Sequence, residues 1–163
     1  MRIIIYLCAL CITNTVWAGA RSVEQTLDAL HASAATANAE VYFDLYTKNA
    51  KFIGTDAGEN WSIDEFKQYA MPYFSKGKGW TYTSVSREVF YSNDHKVAWF
   101  MEILSNASYG TTRGTGVLEN VDGEWKIAQY HLTIPIPNAM AKSVAAQIES
   151  MAATDKEHKF VIG

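Results

Sequence analysis

The sequence predicts an α+β fold: an antiparallel meander covered by N-terminal helices and followed by a C-terminal helix. Three observations predict it. Four runs rich in β-branched and aromatic residues follow one another over residues 80–132, the last three cut apart by short turns. The residues before them repeat apolar side chains at steps of three and four, the helical period. Both faces of the resulting sheet are apolar, so each must be covered by protein.

The chain has 163 residues, 48% hydrophobic and 19% charged, the profile of one globular domain. Its first twenty residues follow the plan of a signal peptide. Met1-Arg2 is a basic start, residues 3–12 an apolar core too short to span a bilayer, and Val16-Trp17-Ala18-Gly19-Ala20 a small-residue cleavage site. Cleavage after Ala18 or Ala20 fits, with Ala20 favoured, leaving a domain over residues 21–138 and a tail over 139–163. The expected location is exported, periplasmic or secreted, with no stable membrane anchor once the signal is removed. Both cysteines, Cys8 and Cys11, fall in this segment, so the mature chain has neither a disulfide nor a thiol nucleophile. Losing Arg2 moves the formal charge from −3 to −4. A mildly acidic domain lacks the basic stripe that nucleic acid requires.

Residues 22–49 read as helical, with Val23, Leu27, Leu30, Ala34, Ala37, Val41 and Leu45 on one stripe and a capping box of Ser22 with Gln25. Polar Thr36 and Asn38 mark a break between two helices. Residues 51–54 read as a short strand and residues 55–61 as a loop. A second capping box, Ser62 with Glu65, starts a helix that turns Phe66, Tyr69, Ala70, Tyr73 and Phe74 inward. Pro72 is expected to kink or restart it, and Gly77 and Gly79 to end it.

The strands are residues 80–92, 96–104, 109–121 and 124–132. Asp122-Gly123 is a two-residue hairpin turn, since both residues tolerate positive φ. That turn sets Glu119 opposite Lys126, Val117 opposite Ala128, Thr115 opposite Tyr130 and Arg113 opposite Leu132. Closing the preceding hairpin with Leu104 opposite Thr111 puts Glu102 across from Arg113. One face then carries Phe100, Glu102, Arg113, Thr115, Val117 and Tyr130. The other carries Val97, Trp99, Met101, Leu118, Trp125, Ile127 and His131, with Gly114 and Gly116 leaving space. After residue 132, Pro135 and Pro137 end the pairing, and Asn138 is a cap for a last helix with Met140, Val144, Ile148 and Met151 along one side, docked on the domain.

The order of these elements, and the motifs within them, resemble a known family. Phe52-Ile53-Gly54-Thr55-Asp56 with Trp61, Gly77-Lys78-Gly79-Trp80, Ala98-Trp99-Phe100 with Glu102, and Arg113-Gly114-Thr115-Gly116-Val117-Leu118 are similar to the SnoaL-like branch of the nuclear transport factor 2-like (NTF2-like) superfamily. So are Gly123-Glu124-Trp125-Lys126-Ile127 and Ile134-Pro135-Ile136-Pro137-Asn138. The resemblance spans nearly all of the mature chain. It implies a cone-shaped α+β fold with a curved sheet, a pocket between helices and sheet, and a homodimer through the outer sheet face. The superfamily includes ketosteroid isomerases, polyketide cyclases, dehydratases, epoxide hydrolases and proteins without chemistry, so fold alone does not select a reaction. Its isomerases and cyclases use a pocket aspartate; no position here matches that aspartate by a shared motif.

The residues themselves suggest two roles. Glu102 beside Arg113 is held ionised, which suits a structural bridge or an anchor for a polar ligand better than a proton shuttle. Asp56, at a strand end beside an aromatic loop, is the carboxylate that desolvation would tune for acid–base work, against an Asx-type role in capping its loop. His31 on the edge of the helical stripe and Tyr130 are its candidate helpers. Tyr42, Trp61, Tyr69, Trp99 and Tyr130 belong to the core, with some lining a pocket that stacks a flat apolar ligand. His31, His95, His131 and His158 show no metal-ligand spacing, and neither a metal nor another cofactor is expected. Two functions follow: an exported, dimeric binder of a small, partly apolar molecule, or a cofactor-free lyase, isomerase or hydrolase using a pocket carboxylate.

Overall fold

In the computed structural model, which describes residues 20–161 and side chains through residue 152, four α-helices surround a curved, unclosed six-stranded sheet. The signal-peptide segment with Cys8 and Cys11, apart from Ala20, lies outside the described residues, as does the side chain of His158. Helix α1 (Val23–Ala35) starts at the expected capping box, Ser22 with Gln25. Its stripe of Val23, Leu27, Leu30 and Ala34 is buried. The break comes where Thr36 and Asn38 predict it: Ala37 takes φ 53°, and the Asn38 side chain caps α2 (Ala39–Asp44) by accepting from the Val41 amide at 3.2 Å.

The helix expected to run to residue 49 instead gives way to β1 (Tyr46–Ile53), longer than the short strand read from residues 51–54. Tertiary pairing decides this. Tyr46, Lys51, Phe52 and Ile53 pair in parallel with β6 (Glu124–Thr133), and Lys51, Phe52 and Ile53 also pair with β2 (Asn60–Ser62). Helix α3 (Ile63–Phe74) begins at the Ser62–Glu65 capping box. Pro72 neither kinks nor restarts it, because it falls in the last turn. Ile63, Phe66, Ala70 and Phe74 face inward, whereas Tyr69 and Tyr73, also expected inside, are each 49% exposed.

The meander comprises β3 (Thr83–Tyr91), β4 (Val97–Asn106), β5 (Gly110–Val121) and β6, and the sheet order is β2-β1-β6-β5-β4-β3. Trp80, expected to open the first strand, packs against the core instead. Asp122 (φ 53°) and Gly123 (φ 93°) make the predicted turn, and Glu119 faces Lys126. Two register differences follow. A bulge at Val117/Leu118 places Val117 opposite Gln129, Gly116 opposite Tyr130 and Gly114 opposite Leu132. The preceding hairpin closes with Asn106 opposite Gly110, its turn held by Asn106 Oδ1 accepting from the Ser108 and Tyr109 amides, so Leu104 faces Thr112 rather than Thr111.

A one-residue slip moves every side chain of a strand to the other face. Arg113, Thr115 and Val117 therefore lie on the outer face, and Arg113 stands across from Ile103, away from the Glu102 side chain. Leu118 and Ile127, expected on the same face as Trp99 and Met101, are fully buried on the opposite one. Phe100, Glu102 and Tyr130 share a face as expected, and it is the inner one, while Trp99 and Met101 lie outside. The core fills the space between α1–α3 and this inner face.

A short 3-10 turn (Asn138–Met140) leads into α4 (Ala141–Val161). Met140, Ile148 and Met151 are 52%, 60% and 71% exposed, so the expected docking of this stripe on the domain does not occur. Among the described residues, no helix is long and apolar enough to cross a membrane.

Candidate ligand cleft

Glu102 is the one buried charged residue of a mostly apolar interior, among the described residues. Its side chain is fully buried, and four elements converge on it. From α1, His31 Nε2 lies 2.8 Å from Oε1; from β6, the Tyr130 hydroxyl donates to the same oxygen at 3.1 Å; from β3, Arg87 Nε donates to Oε2 at 2.9 Å. On β5, Gly114 stands opposite Glu102, and a Cβ there would lie 2.9 Å from Glu102 Oε1 and 2.5 Å from the Tyr130 hydroxyl. The missing side chain makes room for the cluster. Arg87 is itself steered by α1, with Nη1 donating to Asp28 Oδ1 at 2.8 Å and to the Glu24 carbonyl at 3.2 Å. Its Nη2 is buried without an acceptor among the described residues.

The electrostatics follow from this packing. Burial pushes the Glu102 carboxyl up, but the hydrogen bond and charge of His31, together with Arg87, outweigh it and hold the carboxyl below its ordinary range. Burial, then the neighbouring carboxylate, drives the Tyr130 phenol well above its ordinary value, so it remains a donor. An ionised Glu102 can only accept, so His31 carries a proton on Nε2, and Nδ1 is the ring nitrogen left for another partner.

His31 and Tyr130 line a small recess of about 20 Å³ that also touches Tyr42, Phe52, Trp80 and Leu132. It adjoins a larger cleft of about 220 Å³; Phe52, Trp80, Tyr82 and Leu132 border both. Stacked rings form the wall: Phe52 on Phe66 at 3.7 Å between centroids, Tyr130 beside Phe52 at 5.9 Å, and Trp61 on Tyr69 at 5.0 Å. Tyr69, Tyr109 and Glu59 line the outer cleft. A cleft of flat apolar surfaces thus adjoins a small recess lined by one imidazole with a buried carboxylate behind it.

Of the residues singled out in the sequence, the fold brings His31, Tyr42, Trp61, Tyr69 and Tyr130 to this space, with Glu102 directly behind. Asp56 is not there. It sits exposed in the β1–β2 turn, where Oδ1 accepts from the Gly58 amide at 2.8 Å, the Asx-type role. Arg113 and Trp99 are on the outer face, where Trp99 stacks on Phe90. Sequence reasoning missed Arg87, Glu59, Tyr82 and Tyr109. Arg87 meets Glu102 because the hairpin closes with Tyr91 opposite Ala98; a tight turn at residues 92–95 would instead set Arg87 opposite Phe100. Among the described residues, no group of three or more His, Cys, Asp or Glu side chains is arranged to hold a metal ion.

Comparison with known proteins agrees with the geometry. The family model of the SnoaL-like domain matches residues 23–137. No curated protein matches the sequence. Among solved structures, one labelled a dehydratase of the NTF2-like family from Streptomyces avermitilis superposes with a TM-score of 0.60 at 12% identity, covering 71% of this chain and 94% of that one. One labelled a scytalone dehydratase, from Novosphingobium aromaticivorans, gives 0.58 at 12% identity over 71% and 83%. One labelled a calcium/calmodulin-dependent protein kinase II association domain, from Xanthomonas campestris, gives 0.53 at 24% identity over 71% and 86%. At these identities the likeness concerns the fold alone.

Proposed function

This chain belongs to the SnoaL-like domain family, and from that premise we propose that it is an exported, homodimeric protein that binds a small, flat, partly apolar molecule in the cleft. The observation that carries this reading is the aromatic-walled cleft that adjoins the recess at His31. The volume is below the roughly 300–1,000 Å³ usual for drug-sized ligands, so the guest is small. Its ring stacks along Phe52, Trp61 and Tyr69, and a hydroxyl or amide at its inner end hydrogen-bonds to His31 Nδ1. The outer sheet face supports the dimer: Val85, Phe90, Trp99 and Met101 are all more than 40% exposed on one surface. The amino-terminal pattern supports export. Native mass spectrometry of protein purified from its host tests the reading, with a retained small molecule expected that is lost in the His31→Ala and Trp61→Ala variants. Retention unchanged in both variants would remove the cleft as the site.

A second reading has one observation in its favour, the His31–Glu102 pair. A cofactor-free lyase, isomerase or hydrolase would use His31 as general base, with Glu102 a positioning residue that fixes its tautomer and stabilises its protonated form. This replaces Asp56 as the base and places the carboxylate behind the imidazole rather than in the cleft. Tyr130 would hold the carboxylate rather than touch substrate. The dehydratase labels on two structural neighbours fit such a reaction class without assigning it. Turnover that persists in a His31→Ala variant would dismiss it.

A further inference from the structure

The outer cleft has a chemistry that the inner end does not explain. Among its lining residues there is one carboxylate, Glu59, and neither lysine nor arginine. Around it stand the rings of Trp61, Tyr69, Tyr82 and Tyr109, with Trp80 deeper in. Tyr69 and Tyr109 are 49% and 54% exposed, large aromatic surfaces left facing the opening. Glu59 is fixed in place by its backbone, its carbonyl accepting from Gly54 at 2.8 Å and its amide donating to Asp56 at 3.0 Å. Arg87, on the far side of Glu102 from His31 and Tyr130, is already matched by Glu102 and Asp28. Burial, first, and then neighbouring phenols and Glu59 raise the Tyr69 and Tyr82 hydroxyls, which places these groups within electrostatic reach of one another.

We propose that the cleft selects an organic cation, an aromatic or alkyl amine whose ammonium group sits among Trp61, Tyr69, Tyr82 and Tyr109 with Glu59 as counter-ion, and whose neutral end points to His31. This rests on the cleft being the binding site and adds the class of ligand. The physical reason is the ring quadrupole. Aromatic faces attract a cation, the more so where water is displaced, and give no such preference to a neutral or anionic group of the same shape. A fixed carboxylate, in a cleft whose lining residues hold neither lysine nor arginine, adds Coulomb attraction and repels anions. The inner end is suited to the opposite pole of the same molecule, since His31 spends Nε2 on Glu102 and leaves Nδ1 to hydrogen-bond a hydroxyl.

Three probes of one shape separate the alternatives at pH 7: tyramine (cationic), 4-ethylphenol (neutral) and 4-hydroxyphenylacetate (anionic), titrated by tryptophan fluorescence and calorimetry into the full mature chain. The expected order is tyramine tightest by about tenfold over 4-ethylphenol, with the anion weakest. Glu59→Gln, on an exposed turn, should weaken tyramine about fivefold and leave 4-ethylphenol unchanged; Tyr69→Leu should also narrow the gap between them. Equal affinities, or the anion binding best, would overturn the cation inference while leaving the cleft as a binding site. Failure of all three to bind at millimolar concentration, with the fold intact by circular dichroism, would overturn both.

Discussion

The two faces of the sheet are built from alternate residues of the same strands and meet opposite fates. On β4, Phe100, Glu102 and Leu104 point into the interior, where Glu102 gathers His31, Arg87 and Tyr130 around one carboxylate. Trp99 and Met101 point outward, 46% and 43% exposed, with a bare stack of Trp99 on Phe90. The inner face gathers its polarity into a network within the chain; the outer face mixes exposed Phe90, Trp99 and Met101 with Glu88, Arg113 and Thr115, and is left uncovered by the described residues. The contrast teaches that the buried ion cluster cannot be judged apart from its surroundings. Each charge is tolerated because several elements were brought to it, and removing any one leaves the others unsatisfied.

Breaking the inner face should therefore have the largest effect. Glu102→Ala leaves Arg87 and His31 without their common acceptor and should cost about 3–5 kcal/mol in chemical denaturation. Gly114→Ala places a methyl group against Tyr130 and Glu102 and should cost about 1–3 kcal/mol. Tyr130→Phe removes a hydrogen bond to a charged group, for a loss of about 1.5–3 kcal/mol in the same assay. Acidification adds a sharper measure. Because the folded-state carboxyl of Glu102 lies below its ordinary 4.5, its contribution to stability is full above that pH and is lost as pH falls through the lower folded value. The wild-type chain should lose stability with acid over that window more steeply than Glu102→Gln; parallel curves would mean that the cluster does not set the pH dependence.

On the outer face the expectation reverses. Trp99→Ser should change monomer stability by no more than about 0.5 kcal/mol. Sedimentation of the same variant should show self-association weakened by at least about tenfold, since exposed aromatic anchors carry much of an interface's energy. A wild-type chain that stays monomeric at micromolar concentration would remove the dimer from the proposal.

Much of the fold was legible because local chemistry specified it. The capping boxes at Ser22 and Ser62, the break near Asn38 and the Asp122-Gly123 turn all appear where short-range rules place them. What escaped was set at long range or by one residue. Nothing near Tyr46 announces a strand whose partner is β6, and nothing in the β5–β6 pattern announces the bulge at Val117/Leu118. That bulge and the tighter turn after Asn106 each shift the register by one. Their effects cancel at Tyr130, which joined Glu102 as expected, and do not cancel at Arg113, which was paired with Glu102 and lies across the sheet from it. Of the residues singled out, His31, Tyr42, Trp61, Tyr69 and Tyr130 come together at the cleft, whereas Trp99 and Asp56 lie away from it. The site was misread in its cation, because Arg87 sits on a strand whose pairing had not been traced.

The parallel pairing of β1 with β6 has a temporal consequence. β3 to β6 are joined by short turns and find their neighbours quickly, whereas β1 waits for a partner from near the end of the domain. Phe52, Trp61 and the turn bearing Glu59 are therefore expected to be late arrivals during folding. A chain caught midway would carry a completed meander and no cleft.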